Sequence, residues 1–218
     1  MQVRLPSLSV IVATYERAQH VAQLMVDLKA QKDAPPFEIL ICDDGSRRET
    51  LQVLESTCRT LGAMLLTQEN KGFRAASARN MAIRKARYEI AVFLDDDLRV
   101  LPNFLREHSK VHSQESRSIA LIGPRLNVPK RFMMADTVAL EPLIKILKDN
   151  REKEYGVFFK GNRLKKARCP WKVFYTCNAS VRLTNLRAIG GFDESFVGYG
   201  LEDNELAYRL FKLGIKFV

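Results

Sequence analysis

The chain has 218 residues, 46% of them hydrophobic, and a formal net charge of +10. This length and composition predict one soluble globular domain with a substantial core. No apolar run is long enough to span a membrane, which excludes a membrane-spanning chain. Since no nucleic-acid-binding motif accompanies the positive charge, we expect no nucleic-acid partner.

The cysteines predict an intracellular location. Cys42, Cys58, Cys169 and Cys177 form no CxxC pair, which argues against a zinc site. The N-terminus also lacks the apolar segment of a secretory signal peptide. We therefore expect a reduced, cytoplasmic protein.

Strands and helices alternate through the first 123 residues. Apolar runs and helical spacing predict, in order, a strand at 8–13, a helix at 20–30, a strand at 37–42, a helix at 49–61, a strand at 63–67, a helix at 75–86, a strand at 90–94, a helix at 102–111 and a strand at 119–122. This alternation predicts an α/β fold with a mostly parallel central sheet and helices on both faces.

The pattern changes after Gly123. Residues from about 125 to 172 are basic and less periodic, with one helix predicted at 138–148, and we interpret them as an insertion within a single domain spanning 1–218. A weak strand at 173–181, a helix at 202–213 and a strand beginning at 215 follow. Because the chain ends inside that strand, we expect a domain truncated at its C-terminus.

The insertion holds the densest positive charge of the chain. The basic residues of the Arg151–Arg168 segment include Lys153, Lys160, Arg163, Lys165 and Lys166. An anionic membrane surface, an acidic polysaccharide and a phosphorylated substrate are all compatible with this charge. A solvated face is the simpler interpretation, so the segment alone indicates no function.

Polar clusters end three of the predicted strands. They are 13–17 (ATYER), 43–46 (DDGS) and 95–97 (DDD). One such cluster is as well explained by a turn or a helix cap as by a binding site. Since parallel strands end at the same edge of a sheet, clusters on several strands favour a shared ligand site. Hard carboxylate oxygens there suit Mg²⁺ or Mn²⁺.

Other residues with chemical potential are weaker candidates. His108 and His112 are four residues apart on a predicted helix, where a solvated face is a better interpretation than a metal site. Trp171 fits a sugar-stacking position and a core position equally well. The segment 177–180 (CNAS) is compatible with a donor-sugar pocket or with a buried strand end. The chain has no GxGxxG, no GxxxxGK[ST] and no GxSxG motif.

Taken in order along the chain, the motifs resemble those of the family 2 glycosyltransferases, an inverting group with the GT-A fold. The matching segments are 9–15 (SVIVATY), 37–46 (FEILICDDGS), 70–72 (NKG), 78–80 (ARN), 95–97 (DDD), 190–194 (GGFDE) and 200–206 (GLEDNEL). The run 198–210 is similar to chondroitin-polymerase and galactosyltransferase-type segments. The resemblance implies a nucleotide-sugar-binding half at 1–123 and an acceptor-binding half at 124–218.

The resemblance implies a nucleotide site built from the ends of the first strands. Thr14 and Tyr15 would lie against the nucleobase, with Glu16 beside them. Asp43 would accept a hydrogen bond from the uracil imide N–H, which favours UDP. Arg79 would reach the nucleotide or its diphosphate.

The acidic motif would hold the ribose and a metal ion. By the resemblance, Asp95 would contact the ribose hydroxyls, Asp96 would belong to the nucleotide site, and Asp97 would bind Mn²⁺ or Mg²⁺ together with Asp95. Several relatives complete the metal site with a histidine further downstream, and this chain ends before such a residue.

The resemblance places the catalytic base on the helix predicted at 202–213. Inversion in one displacement needs a base on the acceptor side. Asp203 would be that base, with Glu202 beside it in the acceptor site. The residues alone favour a simpler interpretation, in which two acids complement a helix dipole.

The function expected from the resemblance is metal-dependent transfer of a sugar from a UDP-sugar to a hydroxyl acceptor. The acceptor would be a glycan, a polysaccharide or a lipid-linked molecule, and the protein would be cytoplasmic or peripheral at the inner face of the membrane. Two alternatives remain open: a nucleotidylyltransferase, and a non-catalytic module that binds nucleotide or an anionic polymer.

Overall fold

The computed structural model describes residues 4–128, 148–156, 164 and 167–218. Its elements are β1 Leu8–Thr14, α1 Ala18–Lys29, β2 Phe37–Asp43, α2 Arg48–Leu61, β3 Met64–Thr67, α3 Ala75–Lys85, β4 Ile90–Asp95, α4 Phe104–Gln114, β5 Ile119–Ile122, α5 Asn150–Tyr155, β6 Asn178–Arg182, α6 Leu183–Ala188, α7 Glu202–Lys212 and β7 Lys216–Phe217. A 3-10 helix, Pro170–Val173, precedes β6.

The strands of the described residues form one sheet in the order β3-β2-β1-β4-β6-β5-β7. The four strands from β3 to β4 are parallel, and β5 is parallel to β7. β6 is antiparallel to both of its neighbours, β4 and β5. The prediction of an α/β fold with a mostly parallel sheet is therefore confirmed. The reversed β6 was not predicted, since strand direction is set by long-range pairing that local periodicity does not report.

Apolar side chains fill both faces of the sheet. Val10 and Val12 of β1 pack on one face with α1 and α2, and Ile11 packs on the other face with α3, α6 and α7. Strands covered on both faces read as continuous apolar runs, which explains why β1, β2 and β4 were recognisable in the sequence.

Two glycines shape the loops on either side of α2. Gly62 ends α2 in the left-handed conformation, with φ 64°, and its N–H donates to the carbonyl of Cys58. Gly45, with φ 84°, lies so close to Asn70 that a Cβ atom would be 2.4 Å from the Asn70 backbone nitrogen. The Asp-Asp-Gly-Ser turn is thus packed directly against the segment that follows β3.

Several predicted boundaries were wrong. α1 begins at Ala18 and α4 at Phe104. The strand predicted at 173–181 begins only at Asn178, because a 3-10 helix ends at Val173 and a turn at 176–177 precedes the strand. The short helices α5 and α6 were not predicted, since six residues carry too little periodicity. Most of the helix predicted at 138–148 lies outside the described residues.

The interpretation of the basic segment as a solvated face is wrong for Arg151. Its side chain is buried, and its Nε and Nη2 atoms donate to the Asp149 carboxylate, with an Nη2–Oδ2 distance of 2.6 Å. Lys160, Arg163, Lys165 and Lys166 lie outside the described residues, and so does the side chain of Lys153. A buried, doubly hydrogen-bonded guanidinium serves the local structure and is not available to a solution partner.

The four cysteines are free thiols in the structure. None of the helices in the described ranges combines the length and apolarity needed to cross a membrane.

Candidate active site

The carboxyl ends of β1, β2 and β4 border an open cleft of about 1830 Å³. In the parallel register, Thr14 lies opposite Asp43, and Ala13 lies opposite Asp95. The start of α7 also lines the cleft. The predicted site residues that line the cleft are Thr14, Tyr15, Arg79, Asp95, Asp96, Asp97, Glu202 and Asp203. The fold therefore brings residues from both ends of the chain to one place.

Asp96 holds the ends of β1 and β4 together. It is buried, and its carboxylate accepts a hydrogen bond from the Thr14 hydroxyl at 2.7 Å and from Arg17 Nη1 at 3.1 Å. Burial raises the pKa of Asp96, and the contacts with Thr14 and Arg17 oppose that rise. Two predicted nucleotide-binding residues, Thr14 and Asp96, are thus partners of each other in this structure.

Asp97 faces the cleft. Its side chain is 48% exposed, and one carboxylate oxygen lies 3.0 Å from Arg17 Nη1. Arg17 belongs to the polar cluster at 13–17, but the sequence analysis gave it no role, although an arginine just after β1 could have been suspected as the cation that offsets the acidic cluster. The Arg17 guanidinium therefore contacts both Asp96 and Asp97 at the mouth of the cleft.

Arg79 connects the acidic residues of β4 with those of α7. Its side chain is only 8% exposed, with Nη2 at 3.4 Å from Asp95 and Nη1 at 3.2 Å from Glu202 and 3.7 Å from Asp203. The Arg79 guanidinium also lies 5.7 Å from the centre of the Phe192 ring. Burial lowers the pKa of Arg79, but the three carboxylates more than offset this, so the net shift is upward.

Asp95 lies where the carboxylates converge. Burial raises its pKa to about 6, Arg79 opposes the rise, and the neighbouring charges of Asp203, Asp97 and Asp96 add to it. Yet the side chain remains 41% exposed and can be reached from the cleft. A carboxylate in this environment would gain from a further cation.

Asp203 and Glu202 open α7. The Asp203 carboxylate accepts hydrogen bonds from the N–H of Thr176 at 2.9 Å and from the Thr176 hydroxyl at 2.9 and 3.0 Å. Glu202 is bound by Arg79. The residue before them, Leu201, has φ 72°, an unfavourable conformation for a non-glycine residue. Thr176 was missed by the sequence analysis, because a threonine in an irregular segment carries no recognisable signal.

Asp43 and Asp44 are both buried but differ in their position relative to the cleft. Asp43 is fully buried, and its carboxylate accepts hydrogen bonds from the N–H groups of Gly45 and Ser46 and from the Thr67 hydroxyl. Asp44 lines the cleft and is held by the Gln68 side chain and the Arg74 N–H. The structure thus places the predicted base-reading residue, Asp43, behind the turn and its neighbour Asp44 at the cleft wall.

Tyr15 and Glu16 follow β1 but point to different partners. Tyr15 is 45% exposed at the cleft, and its hydroxyl accepts a hydrogen bond from Asn70. Glu16 accepts hydrogen bonds from the Arg47 N–H and the Thr50 hydroxyl at the start of α2, and the Arg47 N–H is the largest cause of its lowered pKa. The Glu16 carboxylate therefore satisfies donors at a helix N-terminus, and Glu16 does not line the cleft.

The weaker candidates lie in different surroundings. His108 and His112 are buried and share the Ser180 hydroxyl, at 2.8 and 2.9 Å, so the prediction of a solvated face was wrong. Burial lowers their pKa values to about 4 and about 3. Trp171 packs against aromatic side chains of α7, and its ring centre lies 4.4 Å from that of Phe211. Cys177 and Asn178 line the cleft.

A group of three or more His, Cys, Asp or Glu side chains arranged to hold a metal ion does not occur among the described residues. Two carboxylates, Asp95 and Asp97, are both about half exposed at the same strand end. Mg²⁺ in particular is often held by one or two carboxylates together with substrate phosphates. The donor set therefore fits a divalent cation that arrives with a phosphorylated ligand.

Sequence comparisons give two family matches. The profile described as "Glycosyl transferase family 2" matches residues 9–174, and the profile described as "N-terminal domain of galactosyltransferase" matches residues 157–218. The chain is 32% identical to a validoxylamine A glucosyltransferase of Streptomyces hygroscopicus subsp. limoneus, covering 96% of the chain and 49% of that protein. It is also 32% identical to a hyaluronan synthase of Pasteurella multocida, with 96% and 23% covered. The chain thus spans half or less of these relatives.

Solved structures share the fold. The crystal structure of S. aureus TarS gives a TM-score of 0.67 at 21% identity, covering 93% of this chain and 33% of TarS. The mannosyltransferase PcManGT from Pyrobaculum calidifontis, solved with GDP-Man and Mn²⁺, gives 0.64 at 20% identity, covering 99% and 55%. At these identities the likeness extends to the fold alone.

Proposed function

The chain belongs to glycosyltransferase family 2, and from this premise we propose that it transfers a sugar from a UDP-sugar to a hydroxyl acceptor with inversion, with a divalent metal ion bound. One observation carries the proposal. Two pairs of carboxylates, Asp95 with Asp97 and Glu202 with Asp203, line the same cleft. An inverting transferase needs two acidic groups in one cleft, because a cation must offset the charge of the leaving diphosphate and a base must take the proton of the attacking hydroxyl.

The donor nucleotide would bind at the ends of β1 and β2. Tyr15 offers an exposed aromatic ring for the nucleobase. Of the two aspartates in the turn, Asp44 is the better candidate to contact the base edge, because it borders the cleft while Asp43 is sealed behind it. Asp43 would then act indirectly, by holding the Gly45-Ser46 turn in shape.

Asp95 and Asp97 would hold Mn²⁺ or Mg²⁺. Both are accessible carboxylates in an acidic cluster, and the raised pKa of Asp95 indicates that the cluster gains from added positive charge. When bound, such an ion offsets the negative charge that develops on a departing diphosphate. PcManGT was solved with Mn²⁺, which makes a divalent ion reasonable here but does not select one.

Asp203 would act as the catalytic base. Its carboxylate would take the proton of the acceptor hydroxyl as that oxygen bonds to the anomeric carbon, while the bond from this carbon to the diphosphate oxygen breaks. The configuration at the carbon inverts in this single displacement. Glu202, bound to Arg79, is less free to accept a proton and would help to bind the acceptor.

The acceptor would be a glycan, a polysaccharide or a lipid-linked molecule. The hyaluronan synthase and the validoxylamine A glucosyltransferase, which are similar to this chain, differ in acceptor, so the relatives support sugar transfer and leave the acceptor open. Attachment to the inner face of a membrane rests on the net charge of +10 and on the basic segment at 151–168. Replacing Lys160, Arg163, Lys165 and Lys166 with Gln should then weaken binding to anionic vesicles and leave UDP binding unchanged.

The proposal is tested by measuring nucleotide release from a panel of UDP-sugars, with GDP-mannose as the matched comparison, in Mn²⁺ and in EDTA. We expect release of UDP from at least one UDP-sugar in Mn²⁺ only. Preference for GDP-mannose would overturn the assignment of the nucleotide. Binding of UDP with no turnover of any nucleotide sugar, even with mixed glycan acceptors, would favour a non-catalytic module.

A further inference from the structure

Thr176 is placed to control the direction of the Asp203 carboxylate. It is 1% exposed and lies between the 3-10 helix and β6. Its N–H is 2.9 Å from Asp203 Oδ2, and its hydroxyl is 2.9 Å from Oδ1 and 3.0 Å from Oδ2. One residue therefore contacts both oxygens of the carboxylate, through its backbone and through its side chain.

We propose that Thr176 is a positioning residue for Asp203, an inference that rests on the role of Asp203 as base under the function proposed above. The terminal torsion of an aspartate side chain has a broad energy profile, so an unrestrained carboxylate samples many orientations. Two donors from Thr176 restrict that rotation. A base must present a lone pair to the proton it removes, and small errors in geometry reduce the rate strongly.

The segment before Thr176 is held in place by hydrogen bonds from Arg151. Arg151 is buried, donates from Nη1 to the carbonyl of Val173 at 3.0 Å, and lies 5.7 Å from the centre of the Tyr175 ring. The same guanidinium donates to the carbonyl of Gly123 at 2.7 Å and to Asp149. The segment before Thr176 is thus tied to the end of β5.

The segment after Thr176 is tied to the same place. The side-chain amide of Asn178 donates to the carbonyl of Pro124 at 2.9 Å, and its oxygen lies 3.0 Å from His108 Nε2. Thr176 is therefore fixed on both sides, and its contacts carry that rigidity to Asp203. A site held by such a supporting layer keeps its geometry better than one on a free loop.

The competing explanation is that Thr176 only joins α7 to β6. In that case its loss would lower stability and would affect turnover only through the folded fraction. Ser109 is a matched control, since its fully buried hydroxyl donates to the carbonyl of Pro6 at 2.7 Å, away from the cleft. Ser109→Ala removes one buried hydroxyl hydrogen bond without touching the acids.

The experiment is a double-mutant cycle on kcat between Thr176→Val and Asp203→Asn, with Ser109→Ala as the stability control. We expect Thr176→Val to lower kcat about tenfold, the scale of one hydrogen bond to a charged group, with the donor KM unchanged. Thr176→Ser should restore kcat. In the Asp203→Asn background, Thr176→Val should have no further effect, because the two residues act as one unit.

The outcomes separate the inference from the proposed function. If Asp203→Asn keeps near-wild-type kcat, the base assignment fails whatever Thr176 does. If Asp203→Asn is slow but Thr176→Val leaves kcat unchanged, or lowers it equally in both backgrounds, the positioning role is overturned. Failure of Thr176→Ser to restore kcat would also overturn it. Should Thr176→Val fold poorly, Thr176→Ala removes the same hydroxyl with less bulk.

Discussion

Replacing Arg79 with methionine should destabilise the protein strongly. The arginine side chain is 8% exposed and faces Glu202 and Asp203, which are 11% and 15% exposed, so methionine would leave two buried carboxylates without their cation. Breaking a buried ion pair by removing one partner costs about 3–5 kcal/mol. The third partner, Asp95, is 41% exposed and adds little, because solvent screens it.

Thermal unfolding followed by circular dichroism measures this effect. For a chain of this size, 1 kcal/mol shifts Tm by about 2–4 °C, so Arg79→Met should lower Tm by roughly 6–20 °C. Arg84→Met is the matched control: it lies on the same helix and pairs with Glu194 at 3.2 Å, but its side chain is 60% exposed. Loss of that surface pair should cost at most about 1 kcal/mol.

The result that would refute this reasoning is a Tm for Arg79→Met within the range of the Arg84→Met control. If UDP affinity also fell about tenfold or more, Arg79 would be a nucleotide ligand, as the sequence resemblance implied. A large fall in Tm, with UDP binding retained below the transition, would establish Arg79 as the link between the carboxylates.

Further substitutions test the separate parts of the site. Asp97→Ala should abolish metal-dependent UDP binding, measured by calorimetry, while the fold stays intact. An unchanged UDP affinity in Mn²⁺ would show that Asp97 is not part of the metal site. Asp43→Asn should lower Tm, because its buried carboxylate accepts hydrogen bonds from Gly45, Ser46 and Thr67; a loss of UDP affinity at unchanged Tm would restore its base-reading role. Asp203→Asn should lower kcat by about 10² or more at constant donor KM, the scale of general base catalysis. The pKa of His112 falls from 6.5 unfolded to about 3 folded, so its stabilising contribution is complete above pH 6.5 and is lost as pH falls towards 3. Between pH 7 and pH 5, the free energy of unfolding from urea titrations should therefore fall by on the order of 2 kcal/mol more in the wild type than in His112→Gln. An equal fall in both proteins would contradict burial of the neutral ring.

The sequence predicted the fold well, and it predicted that polar residues from several strand ends would meet at one edge of the sheet. The strands β1, β2 and β4 are buried on both faces, so their apolar runs are unambiguous, and acids mark the ends of β2 and β4. The resemblance to family 2 glycosyltransferases and to the GT-A fold is confirmed by the family match and the structural neighbours. The division into a nucleotide half and an acceptor half stays a prediction.

The partners of individual side chains could not be predicted. Whether Asp43 or Asp44 faces the cleft depends on the rotation of one turn, and the sequence shows only that both are acids. Glu16 is captured by donors at the start of α2, a contact between segments that are 31 residues apart. Thr176 reaches Asp203 only because β6 runs antiparallel beside β4, and nothing local specifies that direction.

The contact between Arg17 and the acidic cluster makes cation binding at Asp97 an exchange rather than a simple addition. A divalent ion that approaches Asp97 competes with a guanidinium that is already 3.0 Å away. That pair is half exposed on both sides, and such pairs contribute less than about 1 kcal/mol, so the competition weakens ion binding by no more than several-fold. The displaced guanidinium would still be bonded to Asp96, and its charge would stay at the cleft mouth. Because the guanidinium stays, ion binding raises the net charge of this corner by the full two units of the ion, which favours arrival of an anion after the cation.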